Sequence, residues 1–134
     1  MHATEFLKTI YLGDRACKSV TLDGWNKRVV IEVDEISRVR SESGSWDFYN
    51  DENIVDGRLV FSEVRSVRFD PAGSLPNDYI SSLEATPLSE GYFRFEFTAA
   101  SVDASAESKE VSVIIEAKRL HLEDPTAPSV VIDA

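Results

Sequence analysis

The chain has 134 residues and a mass of 15.0 kDa, the size of one ordinary domain. Hydrophobic residues make up 43%, enough to build a core, and five prolines and six glycines exclude a collagen-like or linker-like chain. Fourteen basic and 24 acidic residues give a net charge of −10, the wrong sign for binding nucleic acid or anionic membrane surfaces. We therefore expect one domain over residues 1–134, with a flexible C-terminal tail from about residue 124.

The signals for compartment point to the cytoplasm. Cys17 is the single cysteine, so no intramolecular disulfide forms, as is usual in a reducing compartment. The first residues contain no basic region followed by a long apolar run, and no apolar stretch approaches the roughly 20 residues of a membrane span.

The negative charge is concentrated in the second half of the chain. Residues 1–68 contain ten basic and twelve acidic residues, whereas residues 69–134 contain four and twelve. Hydrophobic content does not change between the halves, so we expect one acidic face on a single domain.

The N-terminal segment is predicted to begin with a short helix capped by Thr4 and stopped by Gly13. The apolar stripe of this helix has helical spacing: Phe6, Leu7, Ile10 and Tyr11.

A β-hairpin is predicted next, from Ala16 to Val33, with a turn at Asp23-Gly24. Val29, Ile31 and Val33 share one face of its second strand. Ile36 has the opposite parity, which indicates a bulge or a strand end near Asp34-Glu35.

Residues 41–57 form the longest irregular segment, and two strands are predicted after it, at 58–61 and 64–69. Pro71 and Pro76 end the second of these. A short helix or turn is expected over Asp78 to Leu83.

The strongest strand signals come late in the sequence. Phe93, Phe95 and Phe97 alternate with polar residues over 92–98, and a partner strand is predicted over 111–117. The apolar residues of one face occupy odd positions up to Ala117 and even positions from Leu120, which indicates a bulge at Lys118-Arg119. The tail beyond Asp124 either adds an edge strand or hangs free.

Together these elements predict a mainly β fold, with an α+β fold as the alternative. We expect an antiparallel, curved sheet or open barrel of six to seven strands, with a short N-terminal helix. A parallel sheet is disfavoured because crossover helices are missing from the pattern.

No catalytic constellation is recognisable. The two histidines, His2 and His121, have no partners at a recognisable spacing, and Cys17 has the pattern of a small buried hydrophobe. No zinc spacing or phosphate loop is present, so we predict no catalytic residue, no metal and no cofactor. Charged pairs such as Glu32 with Asp34 are expected on a solvated face.

The candidate binding residues lie in the irregular segment, where aromatic rings are interspersed with acids. Such rings either anchor a loop to the core or contact a partner, and Trp25 beside the first turn has the same two interpretations. The predicted binding residues are Trp46, Phe48, Tyr49, Asp51 and Glu52.

The early hairpin over 20–33, the run at 59–64 and the closing pair over 92–97 and 111–122 resemble small bacterial β-rich families of unknown function. Some members of those families are labelled immunity proteins of polymorphic toxin systems. The resemblance implies a non-enzymatic protein that binds another protein.

Three functions therefore stay open. The first is an acidic interaction module for a basic protein partner, without nucleic acid or membrane. The second is a small-molecule carrier or an enzyme that uses a half-barrel cavity, and the residues expected to line that cavity are Phe93, Phe95, Phe97, Val113 and Ile115. The third is a self-associating structural protein, a homo-oligomer paired through exposed strand edges.

Overall fold

The computed structural model describes residues 2–39 and 53–134. Over those residues the chain forms one short α-helix, a 3₁₀ turn at Ser89–Gly91 and nine strands. The helix is α1 (Ala3–Leu7), and the strands are β1 (Ile10–Tyr11), β2 (Cys17–Asp23), β3 (Arg28–Val33), β4 (Glu35–Arg38), β5 (Ile54–Val55), β6 (Arg58–Asp70), β7 (Ile80–Pro87), β8 (Phe93–Val102) and β9 (Ser108–Glu123).

The main sheet is antiparallel, with six strands in the order β2-β3-β6-β9-β8-β7, and a smaller antiparallel sheet has the order β1-β4-β5. The β2–β3 hairpin pairs with the first part of β6, and β8 pairs with the first part of β9. The edge strands approach each other at an isolated bridge between Ala16 and Tyr79. The expected mainly β, antiparallel fold with a short N-terminal helix is confirmed, and the described strands do not form a closed barrel.

Period-two alternation buries one face of β3, of the first part of β8 and of most of β9, as the sequence predicted. The rings of Phe61 and Phe95 meet edge to face at 5.1 Å, and Phe6 of α1 joins the same core at 1% exposure. Burial of each such ring contributes roughly 1.5–3 kcal/mol relative to exposure. The core therefore holds the sheet and the helix together.

The two strands predicted at 58–61 and 64–69 are one continuous strand, β6. Glu63 lies between them in a left-handed conformation, with φ 52°, and the pairing of β6 with β9 shifts register between Val64 and Ser66. Opposite this irregularity, the buried face of β9 changes from Ala117 to Leu120, as the parity change predicted. The irregularity bends the strand pair without ending it.

The predicted N-terminal helix is too long. α1 ends at Leu7, and Ile10 and Tyr11 pair with β4 because strand pairing overrides their helical spacing. His2 occupies the N-cap position, and the Thr4 hydroxyl contacts the His2 ring at 2.7 Å.

The helix or turn expected over Asp78 to Leu83 is also wrong, because Ile80 begins β7, which pairs with β8 along its length. The parity change near Asp34 is a strand end: β3 ends at Val33, and β4 joins the smaller sheet. The C-terminal tail contacts the main sheet through two hydrogen bonds between Leu122 and Ile132, of 2.7 and 3.2 Å.

Candidate functional site

The binding residues predicted from the sequence are Trp46, Phe48, Tyr49, Asp51 and Glu52, and all five lie outside the described residues. That prediction stays a prediction. Trp25, which the sequence left as either an anchor to the core or a contact for a partner, lies in the described part of the chain. The candidate site is therefore placed around Trp25.

Trp25 lies in the turn between β2 and β3, and its side chain is 94% exposed. It therefore does not anchor the turn to the core. The turn is held by Asp23, whose carboxylate accepts hydrogen bonds from the Asn26 backbone at 3.0 Å and the Asn26 side chain at 2.8 Å. These bonds also hold the pKa of Asp23 below its usual value. Leu22, 54% exposed, adds a second apolar side chain near the turn.

The turn is fixed to β6 by backbone contacts. The Val64 N–H donates to the Lys27 carbonyl at 2.9 Å. Lys27 and Glu63 both have left-handed backbones, with φ of 54° and 52°. Such conformations cost about 1 kcal/mol or more each for residues other than glycine, so the surrounding structure holds them in place.

A surface groove of about 410 Å³ lies beside the Trp25 turn. Its lining comes from the turn, from the irregular part of β6 and from the start of β8: Asn26, Lys27, Glu63, Val64, Arg65 and Tyr92.

The groove contains an arginine stacked on an aromatic ring. The Arg65 guanidinium lies 4.0 Å from the centre of the Tyr92 ring, and the Lys118 ammonium lies 5.2 Å from it. Arg65 also donates two hydrogen bonds to Glu116 Oε1, of 2.9 and 3.1 Å. This contact, together with the charges of Arg65 and Arg94, lowers the pKa of Glu116. Arg119 pairs with Glu63 at 2.9 Å.

An acidic surface lies on the outward face of β7 and β8. Glu84 is the direct cross-strand partner of Glu96, and neither carboxylate forms an ion pair with a described residue. Glu110 on β9 accepts a hydrogen bond from Ser81 at 2.8 Å. Like charges in directly opposite positions destabilise a sheet, so the Glu84–Glu96 pair is unfavourable for the pairing of β7 with β8.

On β2, β3 and the first part of β6, charged side chains of the outward face form ion pairs with one another. Glu32 contacts Lys18 and Arg58 at 3.5 and 3.8 Å, and Arg58 also bonds Glu123 at 2.7 Å. Asp56, near the end of the irregular segment 41–57, pairs with Lys18 at 2.6 Å. The acidic and the Trp25 surfaces differ from this balanced region.

The residues with catalytic potential are dispersed. Cys17 is 2% exposed, and burial raises its pKa to about 11, so it is present as the inert thiol. His121 is half-buried on β9 opposite Val60, and burial, followed by the charge of Arg28, lowers its pKa. His2 packs edge to face on Phe93 at 4.8 Å. No cluster of three metal-ligating side chains is found in residues 2–39 and 53–134.

The interior predicted for a small ligand is filled by side chains. The five residues expected to line it are all 9% exposed or less and pack in the core cluster. A smaller pocket of about 170 Å³ lies at the surface instead, between β7 and the segment that follows α1. Its lining includes Leu7, Ile10 and Leu83.

Sequence reasoning missed the Arg65–Tyr92 stack and the opposition of Glu84 and Glu96. The stack depends on the register of β6 and β8 with β9, and the opposition of the two glutamates depends on the register of β7 with β8. The sequence pattern alone specifies neither register. The part of the chain that the structure describes contains no helix of sufficient length and apolarity to cross a membrane.

A family model described as "Family of unknown function (DUF6258)" matches residues 1–134. Neither a curated protein nor a solved structure matches the chain.

Proposed function

The chain belongs to this family of unknown function, and we propose that it is a non-enzymatic, immunity-like module that binds a basic protein partner. In this proposal the Trp25 turn supplies the apolar contact, and the acidic surface of β7 and β8 attracts the partner.

The observation that carries the proposal is the exposure of Trp25. A tryptophan that is 94% exposed adds nothing to the core, and its large ring remains in water in the free protein. Tryptophan is among the residues most enriched at the centres of protein interfaces, because burial of its ring removes a large apolar area from water. The backbone of the turn is held by Asp23 and by β6, so the point from which the ring projects has a defined place.

The charge distribution supports the basic character of the partner. The second half of the chain carries most of the net charge of −10, and Glu84 and Glu96 face each other without an ion pair to any described residue. A lysine or arginine of a partner that reaches this pair relieves their repulsion. Complementary charge of this kind raises the association rate and makes it sensitive to salt.

The test is affinity capture from the source lysate at low and high salt, with bound proteins identified by mass spectrometry. Trp25→Ala removes the apolar contact and Trp25→Phe retains part of it. The double variant Glu84→Gln/Glu96→Gln removes the acidic pair, and Glu90→Gln, an exposed acid in the 3₁₀ turn, is the matched control.

We expect one basic protein in stoichiometric amount at low salt and less of it at high salt. Trp25→Ala should abolish capture, the double glutamine variant should weaken it chiefly at low salt, and Glu90→Gln should leave it unchanged. Capture of the same protein by wild type and Trp25→Ala at equal yield would refute the role of Trp25. A partner without excess positive charge, captured equally at both salt concentrations, would refute the electrostatic part.

A further inference from the structure

We propose that the groove beside Trp25 binds a carboxylate-bearing segment of the partner, an acidic and apolar peptide. This inference rests on the proposed function and adds the chemistry of the segment that docks on Trp25. The partner is then bipolar: basic where it meets β7 and β8, acidic where it meets the Trp25 turn.

The charge of the groove carries the inference. The one acid of its lining, Glu63, is neutralised by Arg119, and Glu116, which lies next to the groove, is neutralised by Arg65. Lys27 and Lys118 form no ion pair with any described residue. Two uncompensated ammonium groups therefore remain around one groove, in a protein whose overall charge is −10. A carboxylate is the group that complements them.

The Arg65 guanidinium is suited to bind such a carboxylate. Glu116 uses the Nε–H and one terminal nitrogen of Arg65. Arginine has five N–H donors in a planar fork, so donors remain for a second oxygen. The Tyr92 ring at 4.0 Å and the Glu116 carboxylate fix the orientation of the guanidinium, and its side chain is 38% exposed. A ligand that binds there loses little entropy in ordering it.

The apolar part of the segment has its own contacts. The ring of Trp25 is exposed, and Asn26 and Lys27, the next two residues, line the groove. Val64 and Tyr92 add apolar surface inside it. The groove volume of about 410 Å³ suits a few side chains and not a folded domain, so the ligand is a short segment.

The test uses two blocked peptides of the same length, acetyl-Glu-Leu-Phe-Glu-amide and acetyl-Lys-Leu-Phe-Lys-amide. Binding to the full chain is followed by the NMR cross-peak of the Trp25 indole N–H, which Trp25→Phe identifies. We expect the glutamate peptide to shift this cross-peak and the lysine peptide to leave it in place. Lys27→Gln should weaken binding of the glutamate peptide two- to threefold, and Arg65→Gln should weaken it about tenfold. Lys109→Gln, an exposed lysine on β9, is the control and should have no effect.

Sedimentation of the free chain at increasing concentration accompanies the titration, because the acidic surface of a second copy has the same chemistry as the peptide. A dimer lost in Lys27→Gln would assign the groove to a second copy and overturn the proposal. Equal shifts with both peptides would overturn it as well, while capture that depends on Trp25 would leave the proposed function standing. Binding of the glutamate peptide, with capture indifferent to Trp25→Ala, would support the groove's chemistry and refute the role of Trp25 in the proposed function.

Discussion

The change in the free energy of unfolding caused by Trp25→Ala shows whether Trp25 is exposed for binding or packs in the core. A tryptophan side chain presents about 250 Å². Since Trp25 is 94% exposed, only about 15 Å² is buried, and its loss amounts to about 0.4 kcal/mol at about 25 cal/mol per Å². Phe95 is fully buried in the core, and Phe95→Ala should lower the free energy of unfolding by about 3–5 kcal/mol.

The assay is urea unfolding followed by far-ultraviolet circular dichroism, with wild type, Trp25→Ala and Phe95→Ala measured together. We expect the midpoint of Trp25→Ala to lie close to that of wild type with an unchanged slope, and that of Phe95→Ala to fall far below. A decrease of more than about 1 kcal/mol for Trp25→Ala would mean that the ring packs against the protein in solution. The exposure argument for partner binding would then fail.

Four further outcomes are expected. Cys17, with its raised pKa of about 11, should not react with iodoacetamide at pH 8 in the native protein and should react once urea unfolds it. Folding lowers the pKa of His121 from 6.5, so the stability that this group contributes is full above about pH 6.5. That stability is lost as the pH falls through the lower pKa of the folded state. In urea unfolding between pH 8 and pH 5, His121→Gln should reduce the loss of stability. Glu84→Gln should raise the unfolding midpoint at low salt, and 0.5 M NaCl should remove the difference; a lower midpoint would contradict the repulsion between Glu84 and Glu96. Trp46→Ala should weaken partner binding with little change in thermal stability, and a large fall in melting temperature would make Trp46 a core anchor.

The fold was predictable where one strand pattern dominates. The alternating phenylalanines of β8 and Val29, Ile31 and Val33 of β3 face the core, because a half-buried strand requires that period. Prediction failed where local pattern and tertiary pairing disagree. Ile10 and Tyr11 have helical spacing relative to Phe6, yet they pair with β4. Ile80 begins a strand whose serines give no clear alternation, and its pairing with β8 determines the conformation.

For the candidate site, the sequence left two alternatives open for Trp25: a ring packed on the core or a ring exposed to a partner. The Asp23-Gly24 signal placed Trp25 at a turn, but the sequence does not say whether a ring beside a turn faces inward or outward. Arg65 and Tyr92 are 27 positions apart and meet because both β6 and β8 pair with β9. A contact of this kind depends on register across three strands, which a single sequence does not encode locally.

Three features on the surface oppose local stability. Glu84 faces Glu96, Trp25 stays in water, and Glu63 holds a left-handed backbone inside a long strand. A sequence shaped for folding alone would replace each of them: an opposite charge across the strands, a polar residue at the turn, and an uninterrupted strand in β6. Departures from local preference that persist in a stable fold concentrate at functional surfaces. The left-handed Glu63 and the exposed ring also lie at one place, because the Val64 N–H bonds the turn that carries Trp25. This coincidence supports the proposal that a partner binds at the Trp25 turn.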